Sequence, residues 1–464
     1  MTRMQIIVVV ITVALNALDG FDVLSISLTA GSIRDELGID AGLVGLLLAM
    51  ELVGMAIGSI FLGRYADKWG RRPMMLFCLV LMSAGMFMVT TEPGFMAGLL
   101  HPVMISIPWT ADWPVELVHI SIWRIITGLG IGGMLASINA VVAEYSNSKK
   151  KHMNVALMSI GYPIGAFTGG FIAAELLDRY TWDSVFLLGF GMTLVMIPVV
   201  YFFVPETVSW QIRNQKDGTL DKCNSTLKKM GHAPLEALPD VREELGRKSH
   251  DSIFSPQLIR TTTILTVAYF FHIMTFYFIL KWTGVIVEDR GFLASEAGRI
   301  LSWINVGGAT GGALIGVLTL KYDLKRLTIG AMIMSTVTVM IYGSVGSELL
   351  QMTLICVVCG FFINAAINGM YAMFAHAYPT QVRSAGTGFA IGVGRGGSIL
   401  APIAAGYMFV GGLDVPYVAA ILACGSLFAA IALLFLKLDK EPPEAVAVQS
   451  AEQKAPSGLQ ESAA

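Results

Sequence analysis

Residues 63–72 read Gly63-Arg-Tyr-Ala-Asp67-Lys68-Trp-Gly70-Arg71-Arg72 and connect two apolar segments, 41–63 and 74–91. A degraded copy of this connection stands at residues 316–325, where Gly316 and Lys321 repeat the spacing of Gly63 and Lys68 at an offset of 253 residues. In the copy, Leu320 occupies the place of Asp67. Two copies of one charged loop between apolar segments indicate a chain built from two related membrane-embedded halves.

The composition indicates an integral membrane protein. Of the 464 residues, 55% are hydrophobic and 14% are charged, whereas about 25% of the residues in soluble domains are charged. Twelve apolar segments are long enough to cross a bilayer, which takes about 20 residues of helix. They are 5–30, 41–63, 74–91, 117–143, 154–177, 183–204, 259–287, 295–319, 327–346, 349–376, 385–410 and 415–437. We therefore expect an all-α membrane protein with twelve transmembrane helices, spans 1 to 12.

The region between spans 6 and 7 divides the chain into two sets of six spans. Residues 205–258 are rich in charge and contain no apolar segment of spanning length. We expect a six-helix half at 1–204, a cytoplasmic linker at 205–258 and a second six-helix half at 259–437. Residues 438–464 predict a disordered cytoplasmic tail. The first apolar segment is too long for a cleavable signal peptide, so we expect an uncleaved anchor.

Lys and Arg are concentrated on one side of the predicted membrane. With the N-terminus in the cytoplasm, the inner loops hold Arg64, Lys68, Arg71, Arg72, Lys149, Lys150, Lys151, the cluster from Arg213 to Arg260, Lys321, Lys325, Arg326 and Arg383. The outer loops hold Arg34, Arg179, Arg290 and Arg299. This asymmetry predicts that both termini are cytoplasmic, because positively charged loops stay inside. The expected location is the cell inner (cytoplasmic) membrane.

Several classes of function lack sequence support. The net charge is −2 and no basic patch occurs beyond the loops, so we expect no nucleic-acid partner. Five cysteines give no disulfide framework, and Cys356 and Cys359 are interpreted as small buried side chains. No nucleophile elbow, phosphate loop or metal-ligand cluster occurs, so we expect no enzymatic activity, no cofactor and no metal site.

Two acids stand inside the first apolar segment, in the sequence Asp19-Gly20-Phe21-Asp22. Carboxylates in hydrocarbon are costly and usually functional, and residues at i and i+3 share one face of a helix. A buried acid beside another acid can hold a proton near neutral pH. We therefore predict proton coupling at this pair, with Asp22 as the titrating group and Asp19 as its modulator. The alternative is a structural hydrogen bond or an ion pair with an arginine.

The loop at 63–72 resembles the signature loop of the major facilitator superfamily. Arg124-Ile-Ile-Thr-Gly128-Leu-Gly130 in span 4 and the Gly/Pro-rich stretch Gly161–Gly170 in span 5 resemble two further superfamily motifs. Three stretches narrow the resemblance to the aromatic acid:proton symporter family: Asp19–Asp22, Tyr378–Arg383 and Gly392–Gly396. The resemblance covers nearly the whole chain. It implies two pseudo-symmetric six-helix halves and import of benzoate-like acids, protocatechuate, 4-hydroxybenzoate, vanillate or muconate.

Arg395 lies in the middle of span 11, within the glycine-rich stretch 392–397. A guanidinium at this depth needs an anion, and its fork matches a carboxylate. We predict that Arg395 contacts the substrate's carboxylate and that the neighbouring glycines allow backbone or substrate to approach closely. The alternative is a permanent ion pair with Asp19, Asp22 or Glu51.

Other residues are weaker candidates for the substrate path. Arg124 in span 4 either pairs with an acid of span 1 or lines the path. Tyr277 belongs to an aromatic stretch of span 7 that could stack on a ring, and Asn305 and Asn364 could contact ring hydroxyls. The pair Lys281-Trp282 near the end of the same span is interpreted as an interfacial anchor.

The charged loop is interpreted as a gate. Asp67 can pair with an arginine or cap a helix, which would stabilise the state that is closed on the inner side. The gating residues are Gly63, Asp67, Arg71, Arg72, Glu144 and Arg383, with Glu144 in a charge network with Arg383 or Arg71. Glu51 in span 2 departs from the family pattern and shares a helix face with Gly54 and Gly58. It is either a neutral acid packed against span 11 or a second proton site.

These features predict a secondary active transporter that imports a small organic anion together with H⁺ by alternating access, functional as a monomer. The first alternative is an exporter or antiporter of organic anions on the same fold. The second is a membrane sensor of aromatic acids, although the linker and tail are short for a signalling module. The connection 91–118 is longer than the family usually has. The substrate, the direction of transport and the proton stoichiometry stay open at this stage.

Overall fold

A computed structural model of the chain is all-helical. It describes residues 1–94, 97–98, 102, 113–147, 150–215, 218–238, 253–346, 348–379 and 382–437, apart from the side chains of His152 and Ser384. In these residues twelve helices are long and apolar enough to cross a membrane, which confirms the predicted number of spans. The predicted tail at 438–464 and much of the connection 91–118 lie outside the described residues.

Most of the spanning helices are longer than the predicted apolar segments, and several of them continue by one or more turns into the loops. Their bounds, from span 1 to span 12, are Arg3–Leu37, Ala41–Trp69, Arg71–Val89, Val115–Tyr145, Lys151–Leu177, Asp183–Phe203, Ile259–Asp289, Ala294–Leu318, Leu324–Ser344, Leu349–Ala377, Arg383–Val410 and Val415–Leu434. Two short helices lie between spans 6 and 7, at Val208–Arg213 and Thr219–Lys229.

The first six and the last six spans pack in the same order. In the first six, span 1 packs along span 5, span 2 along span 4 and span 3 along span 6. In the last six, span 7 packs along span 11, span 8 along span 10 and span 9 along span 12. Between the two sets, span 2 contacts span 11 and span 5 contacts span 8. Each type of contact therefore occurs twice, as a pseudo-two-fold axis between repeats requires.

A glycine at the same place in each repeat allows two of these helices to cross closely. A Cβ atom at Gly54 in span 2 would lie 2.1 Å from the carbonyl oxygen of Ile125 in span 4. A Cβ atom at Gly307 in span 8 would lie 2.1 Å from the carbonyl oxygen of Val357 in span 10. Gly54 and Gly307 are separated by 253 residues, the offset of the repeated loop. Small residues at such crossings let membrane helices approach.

The two six-span sets are joined at the end of the bundle where span 1 finishes, called the Leu37 end. An ion pair connects Arg34 of span 1 to Asp289 of span 7 at 2.6 Å. A second connects Asp178, just after span 5, to Arg299 of span 8 at 2.8 Å. These side chains are partly exposed, so each pair stabilises the closed end only weakly.

The opposite end, where span 3 begins, is called the Arg71 end. Among the described residues, no ion pair or hydrogen bond joins the two six-span sets between this end and the middle of the spans; the bonds between the sets lie at mid-span and at the Leu37 end. Tyr371, in the part of span 10 near the Arg71 end, is 43% exposed. Within the described residues, the two six-span sets are thus bonded to each other at the Leu37 end and not at the Arg71 end. We call this arrangement closed at the Leu37 end and unlatched at the Arg71 end.

Candidate functional site

Three fully buried charged side chains, Glu51, Arg124 and Lys281, form a charge cluster near the middle of the bundle. The Oε1 atom of Glu51 lies 2.6 Å from Nη2 of Arg124, and its Oε2 atom lies 3.1 Å from Nζ of Lys281. All three side chains have no solvent exposure. Since Lys281 belongs to span 7, this cluster connects the first six spans to the last six.

The cations of the charge cluster also bind the backbone of span 1. Arg124 donates from Nη2 to the carbonyl oxygen of Asp22 at 3.0 Å, and Lys281 donates from Nζ to the carbonyl oxygen of Val23 at 2.7 Å. The guanidinium of Arg124 also lies over the ring of Phe186, 5.5 Å from its centroid. Two successive carbonyl groups in span 1 are therefore held by cations from spans 4 and 7.

The predicted acid pair of span 1 lies next to the charge cluster. The carboxyl groups of Asp19 and Asp22 are buried and have no hydrogen-bond partner among the described residues. Asp22 interacts electrostatically with Arg124 and with Glu51, whereas the charged neighbours of Asp19 are the acids Asp22 and Glu51. A cation favours the ionised form of a nearby acid and an anion disfavours it. The two carboxyl groups thus have unequal surroundings.

Arg395 of span 11 is half-buried, and its guanidinium has no ion pair or hydrogen bond within the described part of the chain. Tyr269 and Tyr277 in span 7 interact electrostatically with this guanidinium. The hydroxyl of Tyr371 lies 3.1 Å from that of Tyr269. Tyr162 of span 5 interacts electrostatically with Tyr277. We call Arg395 and the four tyrosines the tyrosine–arginine cluster. Its residues come from both six-span sets.

Two of the glycines around Arg395 allow close helix packing. A Cβ atom at Gly394 would lie 2.2 Å from the ring of Tyr269, and one at Gly397 would lie 2.4 Å from the carbonyl oxygen of Phe270. Span 11 therefore approaches span 7 at the predicted glycine-rich stretch. The close approach involves the backbone and a ring of span 7, which is one of the two possibilities that the sequence suggested.

The two predicted asparagines lie in spans 8 and 10. Asn305 donates to the carbonyl oxygen of Leu301, and Asn364 donates to that of Gly360, each four residues earlier in its own helix. Asn364 also faces span 8, because a Cβ atom at Gly308 would lie 2.5 Å from its amide nitrogen. Both amides retain a side-chain oxygen as an acceptor, but no described contact brings them to Arg395.

Two interpretations of the sequence are wrong, and the structure identifies the acid partner of a third residue. Lys281 and Trp282 are not interfacial anchors, because both are buried and Trp282 donates to the carbonyl oxygen of Pro402 at 3.1 Å. Glu51 does not merely pack on span 11, because its carboxyl oxygens lie against cations of spans 4 and 7. The acid partner of Arg124 is Glu51 of span 2, and the contact of Arg124 with span 1 is to a backbone oxygen. The guanidinium of Arg124 already binds Glu51 and the span 1 backbone, and it is fully buried.

At the Arg71 end, the predicted gate has its expected ion pair. Asp67 and Arg71 are 2.7 Å apart, on consecutive helices. The carboxylate of Glu206, in the segment after span 6, accepts hydrogen bonds from the backbone N–H groups of Arg71 and Arg72 at 3.0 and 3.2 Å. Glu206 thus caps the N-terminus of span 3. Burial raises the pKa of Glu206, and the hydrogen bonds from the backbone oppose this rise.

The other gating candidates divide into two locations. Glu144 lines a small cavity of about 40 Å³ together with Asp67 and Arg71. Arg383 donates instead to the carbonyl oxygen of Tyr378 at 3.4 Å. The structure therefore places Glu144 with Arg71, and Arg383 makes no ion pair with a described residue. Gly63 has an ordinary contact, since a Cβ atom there would lie 3.4 Å from Ala136.

A family model described as "Major Facilitator Superfamily" matches residues 10–302 and 262–462. The chain belongs to the Major Facilitator Superfamily. The repeated packing of its six-span sets and the charged loop between spans 2 and 3 agree with this assignment.

Relatives within the superfamily are named as transporters of aromatic acids. A gallate transporter of Pseudomonas putida is 24% identical over 433 residues, which cover 93% of this chain and 91% of the relative. A 3-(3-hydroxy-phenyl)propionate transporter of Escherichia coli is 27% identical over 424 residues, covering 90% and 91%. A structure of the Escherichia coli xylose transporter XylE, described as partially occluded and inward open, has a TM-score of 0.70 at 16% identity, covering 94% of this chain and 99% of XylE. The likeness to XylE shows a shared fold.

Proposed function

We propose that this chain imports an aromatic or related small carboxylic acid together with protons, by alternating access, in the cytoplasmic membrane with both termini inside. The observation that carries the proposal is the guanidinium of Arg395, which has no acid partner among the described residues and interacts electrostatically with Tyr269 and Tyr277. A cation in this position requires an anion, and a carboxylate fits its fork. The names of the relatives support an aromatic acid.

The tyrosine–arginine cluster supplies both parts of such a site. Arg395 holds the carboxylate, while the faces of Tyr269 and Tyr277 stack on the ring of the substrate. The hydroxyls of Tyr162, Tyr277 and Tyr371 can donate to or accept from ring substituents. Because Tyr162 comes from the first six spans, a bound substrate contacts both halves and can respond to their relative movement.

We assign the transported proton to Asp19. Asp22 interacts with the cation Arg124, whereas the charged groups that interact with Asp19 are the acids Asp22 and Glu51. A nearby cation favours the ionised form of an acid, so we assign the proton to the acid without one. This reverses the order expected from the sequence, in which Asp22 was the titrating group. Asp22 then acts as the modulator, since its charge adds to the repulsion that Asp19 experiences.

The charges near the middle of the bundle support a stoichiometry of one proton per carboxylate. Three acids and three cations lie there, so their fully ionised total is zero; they are Asp19, Asp22, Glu51, Arg124, Lys281 and Arg395. One carboxylate together with one proton keeps the total at zero, whereas either alone leaves a net charge in a low-dielectric site. The halves therefore close around both ligands or around none, which couples the two fluxes.

The moving parts are the two halves, residues 1–204 and 259–437, connected by the linker 205–258. With the termini inside, the Leu37 end faces outward, and the structure corresponds to a state that is open to the cytoplasm. Each half contains the packing pairs needed to move as a unit, and the substrate site lies between them. One chain supplies both halves, so a monomer is the functional unit.

The proposal is tested by uptake of labelled benzoate and 4-hydroxybenzoate into proteoliposomes with an imposed acid-outside pH gradient. We expect accumulation that collapses when a protonophore is added and that does not respond to a potassium diffusion potential set with valinomycin. Accumulation only in the reversed gradient would indicate an exporter. Binding without flux would indicate a sensor. A strong response to the membrane potential would contradict the one-to-one stoichiometry.

A further inference from the structure

We propose that Lys281 is a second carboxylate-binding residue, which holds the substrate when the bundle opens at the Leu37 end. This inference rests on the proposed transport function. It gives the transporter two carboxylate-binding cations, one for each open state. Arg395 serves the state that is unlatched at the Arg71 end, and Lys281 serves the opposite state.

The partners of Lys281 are the first reason. Its ammonium group belongs to span 7, yet both of its described contacts, the Glu51 carboxylate and the Val23 carbonyl oxygen, belong to the first six spans. Alternating access must separate the two halves at the Leu37 end, where they are now joined. Lys281 then loses both partners, whereas Glu51 retains Arg124 within its own half. The lysine becomes a cation without a partner, beside the newly opened cavity.

The position of Lys281 along span 7 is the second reason. Tyr277 and Lys281 are four residues apart, so they lie on one face of the helix, separated by about one turn or 5.4 Å. Tyr277 belongs to the tyrosine–arginine cluster, and Lys281 lies one turn nearer the Leu37 end. A substrate ring that stays against Tyr277 can therefore present its carboxylate first to Lys281 and then to Arg395.

Closure at the Leu37 end provides the transfer. As the halves approach, Glu51 reclaims Lys281, and the carboxylate of the substrate moves to Arg395, which is the cation still available. The proton on the span 1 acids keeps the net charge unchanged during this exchange. A purely structural role for Lys281, as an ion pair that holds the halves together, makes a different prediction, because Glu51 would then be equally important.

The test compares Lys281→Gln and Glu51→Gln in transport of labelled benzoate by right-side-out and inside-out membrane vesicles. Both variants abolish the Glu51–Lys281 ion pair, but Glu51→Gln retains the lysine. We expect Lys281→Gln to raise the KM for uptake from the outer side at least about tenfold, which corresponds to about 1.4 kcal/mol. The KM from the inner side should change by less than about twofold, and Lys281→Arg should restore the outer KM.

Three results would overturn the inference: equal changes in both KM values for Lys281→Gln, no change in either, or a rise in the outer KM for Glu51→Gln that matches that of Lys281→Gln. If Lys281→Gln does not fold, Lys281→Met takes its place, with the same expected rise in the outer KM and the same contradicting results. Absence of benzoate transport by the wild-type protein is a separate result. It would refute the proposed function before the variants are compared.

Discussion

Replacement of Glu51 by glutamine probes the charge cluster through stability, independently of transport. The substitution keeps the shape of the side chain and removes the carboxylate that pairs with Arg124 at 2.6 Å and with Lys281 at 3.1 Å. All three side chains are fully buried, so neither cation can turn to solvent. Two buried cations then face each other without an anion between them.

The expected cost follows from these distances. Two unit charges about 4 Å apart interact by about 4 kcal/mol at an effective dielectric constant of about 20, and removal of one partner from a buried pair costs about 3–5 kcal/mol. We expect Glu51→Gln to lower the free energy of unfolding by about 3–5 kcal/mol. Lys281→Met should cost less, because Glu51 and Arg124 still form a neutral pair.

The assay is chemical unfolding in detergent micelles, followed by tryptophan fluorescence and circular dichroism, for both single variants and the double variant. Since the two residues contact each other, the cost of the double variant should be smaller than the sum of the single costs by about 1–3 kcal/mol. A loss below about 1 kcal/mol for Glu51→Gln, or additive costs, would refute the reasoning.

Three further predictions concern other parts of the molecule. Gly284→Ala places a Cβ atom 2.1 Å from the carbonyl oxygen of Ser27 in the other half. The distance between spin labels placed on the two halves at the Leu37 end should therefore increase. The control Gly330→Ala has nothing within 4 Å of its Cβ atom and should leave this distance unchanged. Burial raises the pKa of Glu206, so the contribution of this group to the free energy of unfolding is present at low pH and is lost as pH rises. The test is the melting temperature of the wild type minus that of Glu206→Gln. This difference should fall by about 1–3 °C between about pH 5 and pH 8. Arg395→Lys keeps the charge but loses the bidentate fork, so the KM for labelled benzoate from the inner side should rise about tenfold, and an unchanged KM would exclude a bidentate contact.

The number and order of the spans were predictable because each span is a local property of the sequence. An apolar stretch of sufficient length can be recognised from its own residues alone. The bounds were less accurate: segment 5–30 became Arg3–Leu37, because a helix can continue past the hydrocarbon where polar residues are tolerated. The repeated loop also predicted two related halves, and the matching positions of Gly54 and Gly307 agree with that prediction.

The charge cluster was not predictable in the same way. Glu51 and Lys281 are separated by 230 residues, and nothing local indicates that they meet. Lys281 precedes a tryptophan near the end of an apolar segment, a pattern that is typical of interfacial anchors. A charge count contained the missing signal: Glu51, Lys281 and Arg395 are isolated charges in apolar segments, and each needs a partner of opposite sign.

The arrangement around Arg395 depended even more on tertiary structure. Its mid-span position indicated a buried cation, but the sequence equally allowed an ion pair with an acid of span 1. In the structure these acids have other partners: Glu51 pairs with Arg124 and Lys281, and Asp22 of span 1 interacts with Arg124. Such competition among several buried charges is decided by helix packing, which one sequence does not encode locally.

Proton coupling by the acids of span 1 is tested with the variant Asp19→Asn in proteoliposomes loaded for two assays. The first is uptake of labelled benzoate driven by an acid-outside gradient, and the second is exchange of labelled for unlabelled benzoate without a gradient. We predict that gradient-driven accumulation is lost while exchange continues, because the amide cannot carry a proton, while Arg395 stays in place and the total charge is zero once a carboxylate is bound. Accumulation at the wild-type level would contradict this prediction.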